Sequence, residues 1–145
     1  MSMMKTVNRI LSHKQAVVYS VLPNDSVFKA LEMMMEKNIS ALLVIDGDRL
    51  LGIFTERDYA RKIILQGRAS KDTPVKEVMT AQPYTINTAT SIDHCMELMT
   101  ERHFRHLPVI EAGQVVGMVS IGDVVKYIME DQKQTISQLE NYINS

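Results

Sequence analysis

GIFTERD, residues 52–58, and GMVSIGD, residues 117–123, share one order: Gly, two apolar residues, a hydroxyl residue, two variable positions, then Asp. The apolar pair reads as the end of a β-strand, and the hydroxyl-x-x-carboxylate as the first turn of a helix. The match extends outward from these stretches without a gap. Laying residues 19–63 on 84–128 superposes Tyr19 on Tyr84, Ser26 on Ser91, Glu32 on Glu97, Met34 on Met99 and Glu36 on Glu101. It also superposes Leu42 on Leu107, Val44-Ile45 on Val109-Ile110, Asp58 on Asp123 and Ile63 on Ile128. A constant register over that length marks an internal duplication.

Each copy reads as strand, helix, strand, strand, helix. Val27, Leu31 and Met34, and in the second copy Ile92, Met96 and Met99, are spaced as one helical face. Ser26 and Ser91 stand just before those faces as N-caps. ALLVI at 41–45, then DGD, then LLGIF form a hairpin pattern, with Asp46-Gly47 supplying the tight turn. HLPVI, EAGQ and VVGMVS repeat it. Pro108 cannot donate to a β-ladder, so its strand is expected at an edge or to begin there. Helices are expected again at about 57–65 and 122–130.

A run-in precedes each copy: TPVKEVMT (73–80) before the second, and KTVNRILS (5–12) before the first, three residues farther out. The polar stretch 66–70 between the copies is a short connection. Neither copy alone covers its own apolar strands, so the halves are expected to pack as one pseudo-twofold unit. The expected boundaries within one module, 1–145, are repeat one at about 5–65, repeat two at about 73–130 and a C-terminal helix at about 132–145.

Composition narrows the possible functions. A chain of 145 residues buries enough surface for a core without metal or disulfide staples. Sixteen basic and 17 acidic residues leave a formal charge of -1, which offers no basic footprint for nucleic acid or anionic membrane. Cys95 is the only cysteine, which excludes disulfide frameworks and points to a reducing compartment. The first residues lack the apolar run of a signal peptide, and no stretch is long enough to span a bilayer. A soluble, cytoplasmic protein is expected.

These features together resemble a tandem pair of CBS domains, named after cystathionine β-synthase and also called a Bateman module. The resemblance covers about residues 5–130. It rests on the duplicated pattern, the Val-Met-Thr run-in at 78–80, the HLPVI segment and the G-h-h-[ST]-x-x-D turn in both copies. It implies an α/β (α+β) fold of two pseudo-twofold β-α-β-β-α repeats packed through their sheets, with helices outside, here as a stand-alone module. It also implies adenosine-containing ligands: AMP, ADP, ATP, NAD-type dinucleotides or S-adenosylmethionine.

The turn has a plainer reading as well. A hydroxyl and a carboxylate three apart form the capping box, which needs no ligand. Recurrence at equivalent points of a duplicated unit favours a binding role. A carboxylate suits the two ribose hydroxyls, and a hydroxyl at a helix start suits phosphate. The resemblance implies clefts that borrow from both copies. The first would combine Thr55, Arg57 and Asp58 with Tyr84 and with Arg105, His106 and Pro108. Arg57 and Arg105 there would neutralise phosphate. The second would combine Ser120, Gly122 and Asp123 with Tyr19, Ser40 and Ala41. Gly122 replaces Arg57 in it, and Ser40-Ala41 replace Arg105-His106, so matching cations are not expected.

The other candidates read as structural. His103 and His106 have no nearby acid or Cys of metal-ligand spacing, and solvated or phosphate-facing histidines are expected. Cys95 aligns with Ala30 and is expected to be small and buried. Met33, Met34 and Met35 read as core and interface filling. Glu36 and Glu101 read as surface charges. The leading function is a regulatory sensor that binds adenine nucleotide and changes how it is presented to a partner protein. A structural dimerisation module with degenerate clefts is the alternative, and no nucleophile–base pair or P-loop suggests an enzyme. A homodimer is expected, because Ile63, Ile64, Val124, Tyr127 and Ile128, with the tail stripe Ile136, Leu139 and Ile143, exceed what one small core needs.

Overall fold

The computed structural model describes residues 5–14 and 17–144. Helix α1 (Val7–His13) leads to the short strand β1 (Ser20–Val21), helix α2 (Val27–Lys37) and strands β2 (Ala41–Asp46) and β3 (Arg49–Thr55). Helix α3 (Glu56–Asp58) continues as a π-helical turn, Tyr59–Ile64. After strand β4 (Thr80–Ala81), the second copy supplies α4 (Ile92–Glu101), β5 (His106–Glu111), β6 (Gln114–Ser120) and α5 (Ile121–Asn144).

The duplication is visible in the hydrogen bonding. Strand β1 runs parallel to β2 with Val21 opposite Val44, and Ile86 forms the equivalent parallel bridge to Val109. Both hairpins are antiparallel, and both shift register at the same point, Val44/Ile45 and Val109/Ile110. Gly47 turns the first hairpin at φ +62°, a backbone state that costs glycine little. Ser26 Oγ accepts from the Lys29 N–H at 3.1 Å and Ser91 Oγ from the His94 N–H at 3.0 Å, so both N-caps are real.

The apolar run in β2 divides by the two-residue period of a strand. Leu42 and Val44 join Phe54 beneath α2, while Ala41 and Leu43 join Ile53 on the other face, against Val115 and Met118 of the second copy. The two sheets therefore meet through these residues, and a strand buried on both faces has to be apolar throughout. On α4 the buried face is Ile92, Cys95, Leu98 and Met99, and Met96 is exposed. Burial pushes the Cys95 thiol up to about 11, so it packs as an inert apolar group. Of the three consecutive methionines, Met34 is core, Met33 packs at its edge and Met35 is exposed.

The run-ins cross over. Val7 and Ile10 of α1 lie in the core of the second repeat, with Ile86, Cys95 and Leu107. Val75 and Val78 lie in the core of the first, with Val27, Phe54 and Ile63. The Val7 N–H donates to the Thr90 carbonyl at 2.9 Å, and the Val27 N–H to the Thr73 carbonyl at 2.9 Å. Each repeat's core is thus completed by the segment that precedes the other repeat. The crossing leaves no room at two glycines: a Cβ on Gly52 would meet the Thr80 carbonyl oxygen at 2.8 Å, and one on Gly117 would meet Leu11 Cδ2 at 2.8 Å.

The C-terminal segment differs from expectation. The helices anticipated at 122–130 and 132–145 are one continuous helix, α5, and Ser145 lies outside the described residues. Ile63 and Val124, expected to be surplus, lie in the cores of the first and second repeats, and Tyr127 and Ile128 pack against the second. Ile64, Ile136, Leu139 and Ile143 are exposed as expected, and Leu65, Val125 and Met129 add to that apolar surface.

Candidate functional site

Both strand-to-helix turns form capping boxes. Asp58 N–H donates to Thr55 Oγ1 at 3.2 Å, and Thr55 N–H donates to Asp58 Oδ2 at 3.0 Å. Ser120 and Asp123 repeat this at 3.1 and 2.9 Å. The two carboxylates nonetheless have different surroundings.

Asp58 is only 7% exposed. Its Oδ2 accepts a second bond from Thr55 Oγ1 at 3.1 Å, and its Oδ1 accepts from Thr80 Oγ1 at 3.1 Å and pairs with Lys62 Nζ at 3.3 Å. An ionised carboxylate has about four acceptor positions; three take hydrogen bonds here, and the Lys62 charge lies beside Oδ1. Thr80 arrives on the crossed run-in. Lys62 also caps the Val78 carbonyl at 3.0 Å.

Asp123 has a side chain 25% exposed, and Lys14 Nζ lies 2.8 Å from its Oδ2 and 2.9 Å from the Met118 carbonyl. Among the described residues, nothing donates to Oδ1. Burial pushes the Asp123 carboxyl up, but the Lys14 hydrogen bond, the Ser120 N–H and the Lys14 charge together hold it below the usual carboxylate range. The cation that the sequence did not reveal in the second cleft is therefore Lys14, brought from the segment after α1.

Around Asp58 lies a cleft of about 400 Å³, lined by Ser40, Ile53, Thr55, Glu56, Arg57, Asp58, Thr80, His103, Phe104, Arg105 and His106. Five of the seven residues expected there are present. Tyr84 is not a wall residue; it stacks on Phe104 at 5.8 Å, under Arg102, and so backs the cleft indirectly. Pro108 is buried in β5 opposite Met118, on the face turned to the other sheet. Among the described residues, Arg57 and Arg105 have no salt-bridge partner.

Around Asp123 lies a second cleft of about 380 Å³, lined by Lys14, Asn38, Ile39, Ser40, Glu56, His106, Met118, Ser120 and Asp123. Tyr19 lines an adjoining apolar hollow with Val17, Val18 and Met118. Ala41 is sealed between the sheets, and Gly122 faces the outer side of α5, so neither forms a wall. Thr80 was legible in principle, since the run-in register places it on Ser12, another hydroxyl. Lys14 was not, because its counterpart there is Gln82.

Ser40, Glu56 and His106 belong to both clefts, and Ser40 Oγ lies 3.2 Å from His106 Nε2. Burial lowers the His106 pKa below 6.5; the Asp123 charge opposes this, while Lys14 and Arg105 add to it. The folded protein therefore binds fewer protons than the unfolded chain between that lowered value and 6.5. Stability is expected to rise with pH across this window and be lost as pH falls through it. Melting curves at pH 5.5 and 7.5 check this, and His106→Gln should flatten the difference.

The CBS domain model matches residues 9–65 and 75–130. The chain belongs to the CBS-domain family. Two matches in one chain make it a tandem CBS pair. It is 42% identical over 125 residues to the CBS domain-containing protein CBSX3, mitochondrial, of Arabidopsis thaliana, covering 83% of this chain and 61% of that protein. A solved CBS-domain protein of Burkholderia ambifaria MC40-6 is 50% identical, with TM-score 0.85, covering 88% of this chain and 96% of that one. The crystal structure of CBSX2 in complex with AMP is 28% identical, with TM-score 0.74, covering 88% and 98%. No described helix of this CBS pair is long and apolar enough to cross a membrane, and no described group of three His, Cys, Asp or Glu could hold a metal ion.

Proposed function

We propose that this CBS pair is a regulatory module that binds an adenosine-containing ligand (AMP, ADP, ATP or an NAD-type dinucleotide) between its repeats and modulates a partner protein. The observation that carries this reading is the first cleft, lined by a carboxylate, an apolar wall and two arginines that have no salt-bridge partner among the described residues. Ile53 and Phe104 offer the wall to the base. Asp58 accepts from ribose once the Thr80 and Thr55 hydroxyls give way, and Arg57 and Arg105 take the phosphate. The AMP complex of the related CBSX2 supports the ligand class. Lys14, Ser120 and Asp123 suit a nucleoside in the second cleft, where one cation sits among the acids Glu56 and Asp123.

The module regulates without catalysis: a ligand that prefers one arrangement of the halves or subunits shifts the population toward it. A cytoplasmic homodimer is part of this reading, with the exposed apolar surface of α5 covered by a second copy. The internally bonded Asp58 carboxylate favours one alternative, a structural dimerisation module whose clefts stay empty.

Titration calorimetry with AMP, ATP, NAD and S-adenosylmethionine separates the two. Arg57→Ala or Arg105→Ala is expected to weaken AMP roughly tenfold to a hundredfold through a lost charged hydrogen bond, and adenosine much less. Equal losses for both ligands would remove the arginines from phosphate binding.

A further inference from the structure

We propose that the outer face of α5 is the seam of a parallel two-stranded coiled coil, and that a second copy of this chain occupies it. The idea rests on the homodimer reading above and says where the contact is made. Helix α5 spans 24 residues, about 36 Å. Its inner face, Val124, Tyr127 and Ile128, packs on the second repeat. On its outer face, positions 125, 129, 132, 136, 139 and 143 follow the alternating four-and-three spacing of a heptad seam. Five of the six are apolar: Val125, Met129, Ile136, Leu139 and Ile143, between 49% and 78% exposed. Residues 132–143 are exposed on every side, and a helical segment that short is marginal in water unless an apolar face is covered.

A heptad seam is complementary to itself, which selects a second copy as the occupant. Gln132 selects the orientation. Parallel, in-register strands place the Gln132 amides opposite one another, where each satisfies the other. An antiparallel pairing with the same layers sets Gln132 against the partner's Ile136 and leaves a buried amide unpaired.

The test uses sedimentation equilibrium of the full chain and of Ile136→Asp/Leu139→Asp, with Leu139→Cys under mild oxidation. The expected result is a wild-type dimer, a dissociation constant raised roughly a hundredfold or more in the double variant, and a disulfide-linked dimer from Leu139→Cys. Both substituted positions are exposed, so the monomer's melting temperature should hold. Buried Cys95 should not cross-link. A double variant as dimeric as wild type overturns the seam but leaves the homodimer reading standing. A monomeric wild type overturns both. Failure of Leu139→Cys to cross-link within a dimer overturns the parallel seam alone.

Discussion

Asp58→Ala is expected to weaken AMP binding tenfold to a hundredfold and, without ligand, to lower the melting temperature by roughly 5–10 °C. The first effect follows from losing a charge-assisted bond to ribose, about 1.5–3 kcal/mol. The second is larger than a capping loss of about 1 kcal/mol. The carboxylate also holds Thr80 Oγ1 and Lys62, and through Thr80 it ties the crossed run-in to the first repeat. Removing it takes the carboxylate from four donors, the Thr55 N–H and hydroxyl, the Thr80 hydroxyl and Lys62, in a nearly closed site. Calorimetry with AMP and melting without it read the two effects separately. A fall in melting temperature with unchanged AMP affinity would make Asp58 a capping and crossing residue, and the ribose role would be lost.

Gly52→Ala is expected to destabilise the protein by about 1–3 kcal/mol, the usual cost of forcing atoms into a packed site. Gly117→Ala is expected to cost less, although the two glycines are equivalent in the repeat. The reason lies in what each would touch. At Gly52 an added Cβ meets the movable Met79 sulfur and also the Thr80 carbonyl oxygen, backbone of β4, which pairs with β3 through Gly52–Ala81 and Ile53–Thr80. Backbone held in a ladder cannot step aside. At Gly117 the nearest atom is the end of the Leu11 side chain, which can change rotamer. Urea unfolding of both variants checks the order. Equal losses would mean that β4 yields as easily as a leucine methyl.

Much of the architecture was legible because it depends on short-range pattern. The two-residue alternation in ALLVI, the turn at Asp46-Gly47 and the caps at Ser26 and Ser91 are each set by neighbours within a few residues. The duplication then applied each reading twice. The π-helical turn after Asp58 was not legible, since nothing in 59–64 distinguishes it from the α-helical start of α5. Met96 was misplaced on α4 for a related reason: spacing alone admits either Met96 or Cys95 to the buried face, and the smaller side chain took it.

The site divides in the same way. Thr55, Asp58, Ser120 and Asp123 could be found from the sequence because their capping geometry is local, within three residues. Arg57, Arg105 and His106 came with them through the repeat and the family resemblance. Thr80 and Lys14 reach their carboxylates across 22 and 109 positions of chain, and that approach exists only once the run-ins have crossed. By itself the sequence determined two copies of one β-α-β-β-α unit, their caps and turns, and a carboxylate at each turn. Only the tertiary structure decided which run-in completes which core, that both Asp58 oxygens are engaged while Asp123 keeps an open oxygen, and that the tail prolongs α5 into solvent. Local rules act on neighbours in the chain, whereas burial and charge pairing act on neighbours in space, and the crossing makes the two sets differ.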